Sequence, residues 1–282
     1  MEHLHTQVRS GMYEGHTSNP RLPVTFRPKE TLIGNITPAH WHEHPEILHI
    51  IRGTVRIYIQ GRVYQAAPGD LVIINPGETH AIPERENGSL YECIIPHRTL
   101  CDKMGISFED HPLPNLIRDE PCEGYFRKIM QELSEKKELY EISAQLGILE
   151  LILHLMRRYP ARVSPKDRPG SAGERMVKQA ITYIQENYSR AISTDDVCRH
   201  LGFDKSYVCT TFKKITGSTI ISFLNMTRCT HARDLLLSGG TCVAECALRC
   251  GFQHLSYFTK TYKRYMGELP SQTACAKRLP LS

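Results

Sequence analysis

The stretch from Gly34 to Gly53 crowds His40, His42, His44 and His49 with Glu43 and Glu46, and could be the metal site of an enzyme or the mouth of a sensing pocket. Three imidazoles and a carboxylate are a donor set that suits Fe, Mn, Zn or Ni. On a strand, side chains two apart share a face, so His40 and His42 are expected to point the same way. His44 and His49 alternate out of that set, and Trp41, the sole tryptophan, falls on the opposite face as packing. Such a cluster fits three roles: hydrogen-bonding a polar ligand, holding a metal that supports ligand or fold, or catalysis in a metal enzyme such as a dioxygenase or sugar isomerase. No activated nucleophile or second acid–base pair with recognisable spacing accompanies it, which puts sensing ahead of catalysis. His97, His111 and His154 stand alone in the sequence.

The scaffold for this centre reads as strands. Val55, Ile57 and Ile59 alternate with Arg56 and Tyr58, the period-2 pattern of a half-buried strand. Turn signals at Gln60-Gly61 and Pro68-Gly69-Asp70 separate such runs. ILHII, VRIYI, VYQAA, LVII and YECII arrive at short intervals, which predicts a small antiparallel barrel or sandwich. From Cys122 the period becomes helical, with Phe126, Ile129, Met130 and Leu133 on one face. A second helix carries Leu146, Leu149, Ile152, Leu153 and Met156, a stripe wide enough for two partners, one of them expected to be a second subunit. Residues 160–174, PARVSPKDRPGSAGE, have three prolines, two glycines and no apolar period, and read as a linker.

A chain of 282 residues can bury two cores. The first twenty residues lack the apolar centre of a secretory signal. The most apolar run, at 147–156, is short and interrupted by Glu150 and His154, so no membrane span is expected. These features imply a cytoplasmic protein whose ten irregularly spaced cysteines are free thiols. Residues 1–170 hold 20 Lys and Arg against 22 Asp and Glu, a net −2; residues 171–282 hold 15 against 8, a net +7. A basic back half is what a polyanion partner requires.

That back half contains an internal repeat. Residues 195–217, DDVCRHLGFDKSYVCTTFKKITG, align with 245–267, ECALRCGFQHLSYFTKTYKRYMG. Gly202-Phe203 matches Gly251-Phe252, Ser206-Tyr207 matches Ser256-Tyr257, and Gly217 matches Gly267. Each copy reads as helix, glycine turn, helix. The glycine ends the first helix at positive φ, the aromatic after it plugs the angle between the helices, and Asp204 caps the second helix in the first copy. With Val208, Phe212 and Ile215 inward, Ser206, Cys209, Thr210 and Lys213 face out in the first copy. Ser256, Thr259, Lys260 and Lys263 face out in the second. A helix fits the major groove, with residues near its start at base edges and lysines near its end at phosphates.

Residues 174–276 resemble the DNA-binding domain of the AraC/XylS family of transcription regulators. The resemblance rests on the two GF…SY motifs, the connecting FLNMTRCTHARDLLLSG, and Pro270 after the second copy. It implies double-stranded DNA as partner, with Ser206, Cys209, Thr210, Leu255, Ser256, Thr259 and Lys260 at the reading positions. The first helix offers only short side chains there, so weaker base discrimination is expected from it than from Lys260 in the second.

The front half resembles the cupin signature: Gly34, His40, His42, Glu46 and Gly53 keep its spacing, and Gly69, Pro76, Gly77 and His80 keep the second motif with the proline moved by one. The resemblance implies His40, His42, Glu46 and His80 as the effector-binding residues and as the ligands of a divalent metal, with no cofactor otherwise required.

Together these readings give an α+β chain of two domains and no enzyme. A cupin-like antiparallel β-barrel spans 1–121, with a helical dimerisation segment at 122–159 and a linker at 160–174. An all-α domain at 175–278 holds helix-turn-helix motifs near 195–216 and 243–266. A small-molecule effector, a homodimer and contact with RNA polymerase are implied. The rival is a metal-dependent cupin enzyme with an appended helical module. One cluster is set aside: Cys242, Cys246 and Cys250 recur on one helix face, but Cys246 and Cys250 match Val197 and Leu201 of the first copy and are expected to be core.

Overall fold

The computed structural model describes residues 22–30, 37–85, 88–160 and 171–276. The chain divides into two units at Ser171/Ala172. Most of the expected linker, and Gly34 of the first cupin-like motif, lie outside the described residues.

The front unit begins with eight strands: β1 (Val24–Glu30), β2 (Thr37–His40), β3 (Glu46–Arg52), β4 (Val55–Ile59), β5 (Arg62–Ala66), β6 (Asp70–Ile74), β7 (His80–Arg85) and β8 (Leu90–Pro96). A short helix α1 (Arg98–Lys103) and strand β9 (Leu116–Arg118) follow. The strands form two antiparallel sheets, ordered β1-β8-β3-β6-β9 and β2-β7-β4-β5. Among the described residues no ladder joins them, so of the expected barrel or sandwich the strands form two facing sheets. Leu48, Ile50, Val72, Ile74, Cys93 and Ile95 from one sheet meet Val55, Ile57, Ile59, Ala66 and Ile82 from the other in a single core.

The alternation of side chains explains the continuous apolar runs of β3 and β6. Their other face, with Ile47, Leu71, Ile73 and Ile94, is covered by helices, so the larger sheet is buried on both sides. Those helices are α2 (Pro121–Glu135) and α3 (Tyr140–Arg158). Proline starts α2, where its missing N–H costs nothing, and the helix buries Cys122, Phe126, Ile129, Met130 and Leu133. Helix α3 buries Ala144, Gly147, Ile148, Leu151, Ile152 and Leu155. Its expected stripe splits between two faces: Ile152 is buried, Leu149 and Met156 half-buried, and Leu146 and Leu153 exposed beside Leu139 and Ile142.

The back unit is α4 (Ala172–Asn187), α5 (Thr194–Leu201), α6 (Lys205–Thr216), α7 (Ile220–Ser238), α8 (Val243–Arg249), α9 (Leu255–Met266) and α10 (Pro270–Ala276). Helices α5–α6 and α8–α9 are the two repeats, with α7 between them. Ser193 and Asp196 form a capping box at the start of α5. Gly202 ends α5 at φ 71°, its N–H on the Cys198 carbonyl. Asp204 Oδ1 accepts from the N–H groups of Ser206 and Tyr207 at 2.8 and 3.2 Å, capping α6 as its type and place require. Helix α9 has no such cap, because His254 at that position makes no side-chain bond.

The aromatics after the two turns differ from one another. Phe252 is buried, its ring 4.9 Å from Phe258, whereas Phe203 is 46% exposed. Only the second copy uses that aromatic as a plug. Gly251, at φ 82°, lies against the backbone: a Cβ there would sit 2.6 Å from the Tyr188 carbonyl oxygen. Arg228 of α7 clamps the same place, donating to the Tyr188 and Arg190 carbonyls at 2.7 and 2.8 Å.

All ten cysteines are free. Cys246 and Cys250 are buried as core, but Cys242 is not on a helix face with them: it precedes α8 and its sulfur accepts from the Glu245 N–H. Among the described residues no helix is long and apolar enough to cross a membrane.

Candidate functional site

His40 ends β2, His80 begins β7, and the two are register partners across that pair. Glu46 begins β3 in the opposite sheet. His42 is not on a strand: it lies in the segment between β2 and β3, so the i, i+2 argument does not place it. What places it is backbone bonding. Its Nδ1 donates to the His44 carbonyl at 2.7 Å, and its own carbonyl accepts from the Gly77 N–H at 2.8 Å. The Asn75-Pro76-Gly77 turn thus fastens the loop that carries His42 to the strand end that leads to His80.

The four side chains converge at the junction of the two sheets, all buried, with their donor atoms within 4.8 Å of one another. His40 Nδ1 bonds the Pro38 carbonyl at 2.8 Å, and His80 Nδ1 bonds the Glu78 carbonyl at 3.0 Å. A carbonyl accepts only, so each of the three Nδ1 atoms must carry its proton. The Nε2 atoms of His40 and His80 are then the free ends, which is how ligating histidines are held, whereas His42 Nε2 is taken up by Glu46 and must lose a proton to ligate. Glu46 Oε2 accepts from His42 Nε2 at 3.1 Å, and Glu46 Oε1 accepts from the Cys93 thiol at 3.2 Å. His80 Nε2, 3.2 Å from Glu46 Oε2, is misaligned and has no hydrogen bond although buried. A buried nitrogen without a hydrogen-bond partner, facing a carboxylate, fits a ligand of a cation.

Electrostatics follows the same geometry. Burial, then the neighbouring charges of His80 and His42, hold His40 well below the usual imidazole range. Burial alone would raise the Glu46 carboxyl, but the contacts from His42 and His80 outweigh it and hold it well below the usual carboxylate range. For His42 burial also opposes charge, and the bond from its ring to Glu46 prevails, raising it. A neutral His40 and an ionised Glu46 are the forms that ligate a metal.

Cys93 was not visible as a partner in the sequence; its contact depends on β3–β8 pairing, in which Leu48 opposes Cys93. His49 and Glu92 pair across the same strands and are buried at the helix-covered face, His49 5.0 Å from the Phe126 ring. His97 does not stand alone: its ring stacks on His44 at 4.9 Å, and Thr25 bonds it at 3.1 Å. Trp41 is half-buried.

On the back unit Ser206, Thr210 and Lys213 of α6 are exposed and Cys209 is half-buried. On α9 Leu255, Ser256, Lys260 and Lys263 are exposed and Thr259 is half-buried, its hydroxyl donating to the Leu255 carbonyl. The outer faces of both helices are open to a partner. Tyr207 and Tyr257 add exposed rings at matched places, the latter's hydroxyl accepting from Asn225 at 2.8 Å.

Comparison with known proteins agrees with this division. An AraC-like ligand-binding domain matches residues 23–155, and a helix-turn-helix domain matches residues 197–275. The chain belongs to the AraC family of transcription regulators. Its front unit is the family's ligand-binding domain and its back unit the DNA-binding domain. Among curated relatives of this AraC-family chain, the HTH-type transcriptional activator RhaR of Salmonella schwarzengrund is 24% identical over 248 residues, 84% of this chain and 87% of that protein. An uncharacterized HTH-type regulator of Staphylococcus aureus is 25% identical over 232 residues, 79% of this chain and 30% of that protein. Among solved structures, ToxT of Vibrio cholerae covers 89% of this chain at 13% identity and a TM-score of 0.46. A probable AraC family regulator from Rhodopseudomonas palustris covers 37% at 30% identity and a TM-score of 0.36.

Proposed function

We propose that this AraC-family regulator senses through His40, His42, Glu46 and His80, and that the cluster does so by holding a divalent transition metal. The observation that carries this reading is the common hydrogen-bond pattern of the three imidazoles, each tied by Nδ1 to a carbonyl so that Nε2 is turned to a shared point beside Glu46, where His42 Nε2 already meets the carboxylate. The bound ion supplies a Lewis-acidic position at which a small effector's oxygen or nitrogen can join. The chain's residues fix the donor set, and Cys93 holds the second Glu46 oxygen away from it. The protein acts by binding, not by catalysis, and works in the cytoplasm. RhaR's description as a transcriptional activator favours a role with RNA polymerase.

Ligation shifts activity only so far as the two DNA-presenting arrangements differ in affinity for ligand. Two copies pair through the exposed α3 stripe of Leu139, Ile142, Leu146 and Leu153, whose spacing lines one face. The helix-turn-helix motifs lie in successive major grooves, with Lys260 the main base reader and Lys213 and Lys263 on phosphates.

The test is calorimetric titration of metal-stripped full-length protein with Fe²⁺, Mn²⁺, Zn²⁺ and Ni²⁺. One equivalent of ion present in the wild type and missing from His42→Ala and Glu46→Gln supports the reading. Uptake that neither substitution alters refutes it.

A further inference from the structure

Asp119, Cys122 and His154 lie apart from the first cluster, joining the start of α2 to the C-terminal part of α3. Their donor atoms also lie within 4.8 Å of one another. His154 Nε2 is 3.0 Å from Asp119 Oδ1, and Cys122 Sγ is 3.5 Å from that same oxygen. A tetrahedral ion with bonds of about 2.0–2.3 Å needs its ligands roughly 3.3–3.7 Å apart, so little movement is required. The Asp119 side chain is 5% exposed and Cys122 is 1% exposed, whereas His154 is 24% exposed. His154 also lines a groove of about 490 Å³ with Tyr125, Leu153 and Arg157, so the triad meets that groove through its histidine. Tyr159 donates to Asp119 Oδ2 at 2.9 Å and so turns Oδ1 toward the other two groups, the placing that outer partners give a ligating carboxylate.

We propose that Asp119, Cys122 and His154 are a second metal site, selective for a zinc-class ion, that ties α2 to α3 with one exchangeable position facing the groove. Sulfur, nitrogen and oxygen donors together favour a borderline-soft ion, and the first cluster has no sulfur in its donor set. Binding replaces protons by the ion: the Cys122 thiol gives up its hydrogen to solvent as the Sγ–metal bond forms, and the His154 ring keeps its one proton by moving it from Nε2 to Nδ1. No electron is transferred. Burial and the Asp119 charge push the free thiol up to about 12, so the ion must displace a firmly held proton. In the ion-free form the three donors and Tyr159 satisfy one another through Asp119.

Cobalt titration of the stripped full-length protein tests the site, because a thiolate bound to Co²⁺ gives a near-ultraviolet charge-transfer band and imidazole or carboxylate does not. The wild type is expected to develop the band to the intensity of one thiolate-bound ion per chain. Cys122→Ser and His154→Ala each abolish it with far-ultraviolet circular dichroism unchanged, and Tyr159→Phe weakens cobalt affinity about tenfold. Cys93→Ser, which alters the thiol beside the first cluster, keeps the band, as does His42→Ala, so failure of the first site is read separately. Absence of the band in the folded wild type overturns the proposal, as does its survival in both Cys122→Ser and His154→Ala. If Cys122→Ser does not fold, the half-exposed His154→Ala decides alone.

Discussion

Alanine at Gly202 and at Gly251 makes the same chemical change at matched positions of the two repeats, and the structure assigns the two substitutions different costs. Both residues have positive φ, 71° and 82°, where a side chain costs about 1–2 kcal/mol. At Gly202 nothing lies within 4 Å of the added Cβ, so that cost is the whole effect. At Gly251 the Cβ would stand 2.6 Å from the Tyr188 carbonyl oxygen and 3.0 Å from Arg228 Nε. Either the backbone moves or the Arg228 bond to Tyr188 breaks, and a lost hydrogen bond to a charged group adds about 1.5–3 kcal/mol. Gly251→Ala should therefore destabilise the back unit by roughly 2 kcal/mol more than Gly202→Ala does. With a urea slope of about 2 kcal/mol/M this separates their midpoints by about 1 M. The assay is urea unfolding of the full chain followed by helical circular dichroism. Fluorescence of Trp41, the only tryptophan, reports the front unit and should not move. Equal shifts for the two variants would refute the close-approach argument.

Lys260→Ala should weaken operator binding by about 1–3 kcal/mol at fixed salt, while Thr210→Ala changes it little; an unaltered affinity for Lys260→Ala removes it as base reader. Lys213→Ala should lower the salt slope of log K by about one without relaxing sequence preference, as read from affinities between low and moderate salt. Leu146→Glu places a charge in the exposed face of α3 and should give a folded monomer in sedimentation velocity where the wild type is a dimer; a wild type that is already monomeric at micromolar concentration counts against pairing through α3. Asp204→Ala removes the cap that receives two N–H groups and should cost about 1 kcal/mol, read as a lower thermal midpoint.

The back unit was the more legible half, because its information is local and duplicated. A glycine at each turn, Asp204 before α6 and inward Val208 and Phe212 each follow from chain position and period. Where the copies differ, sequence reasoning stops: Phe203 and Phe252 occupy equivalent places, but only Phe252 finds a pocket. In the front unit the alternation of Val55, Ile57 and Ile59 reports burial on one face of a sheet, but not whether two sheets close on each other. The metal-type cluster was legible as spacing, though for an incomplete reason, since His42 reaches it from a loop held by Gly77 rather than from a strand. The Asp119, Cys122 and His154 group was not legible at all. Its members are brought together by the packing of α3 on α2, and His154 alone in an apolar helix gives no sign of partners.

The central claim is that occupation of the His40, His42, Glu46 and His80 cluster alters DNA binding by the back unit. The direct measurement is fluorescence anisotropy of full-length protein on an operator duplex selected from genomic fragments, at one salt concentration, metal-stripped and metal-loaded. Wild-type affinity should change by about 5–150-fold on loading, the span of ordinary coupling energies, and affinity of the His42→Ala variant should not respond. Identical curves for stripped and loaded wild type, with the ion shown to be bound at the cluster, would contradict the account.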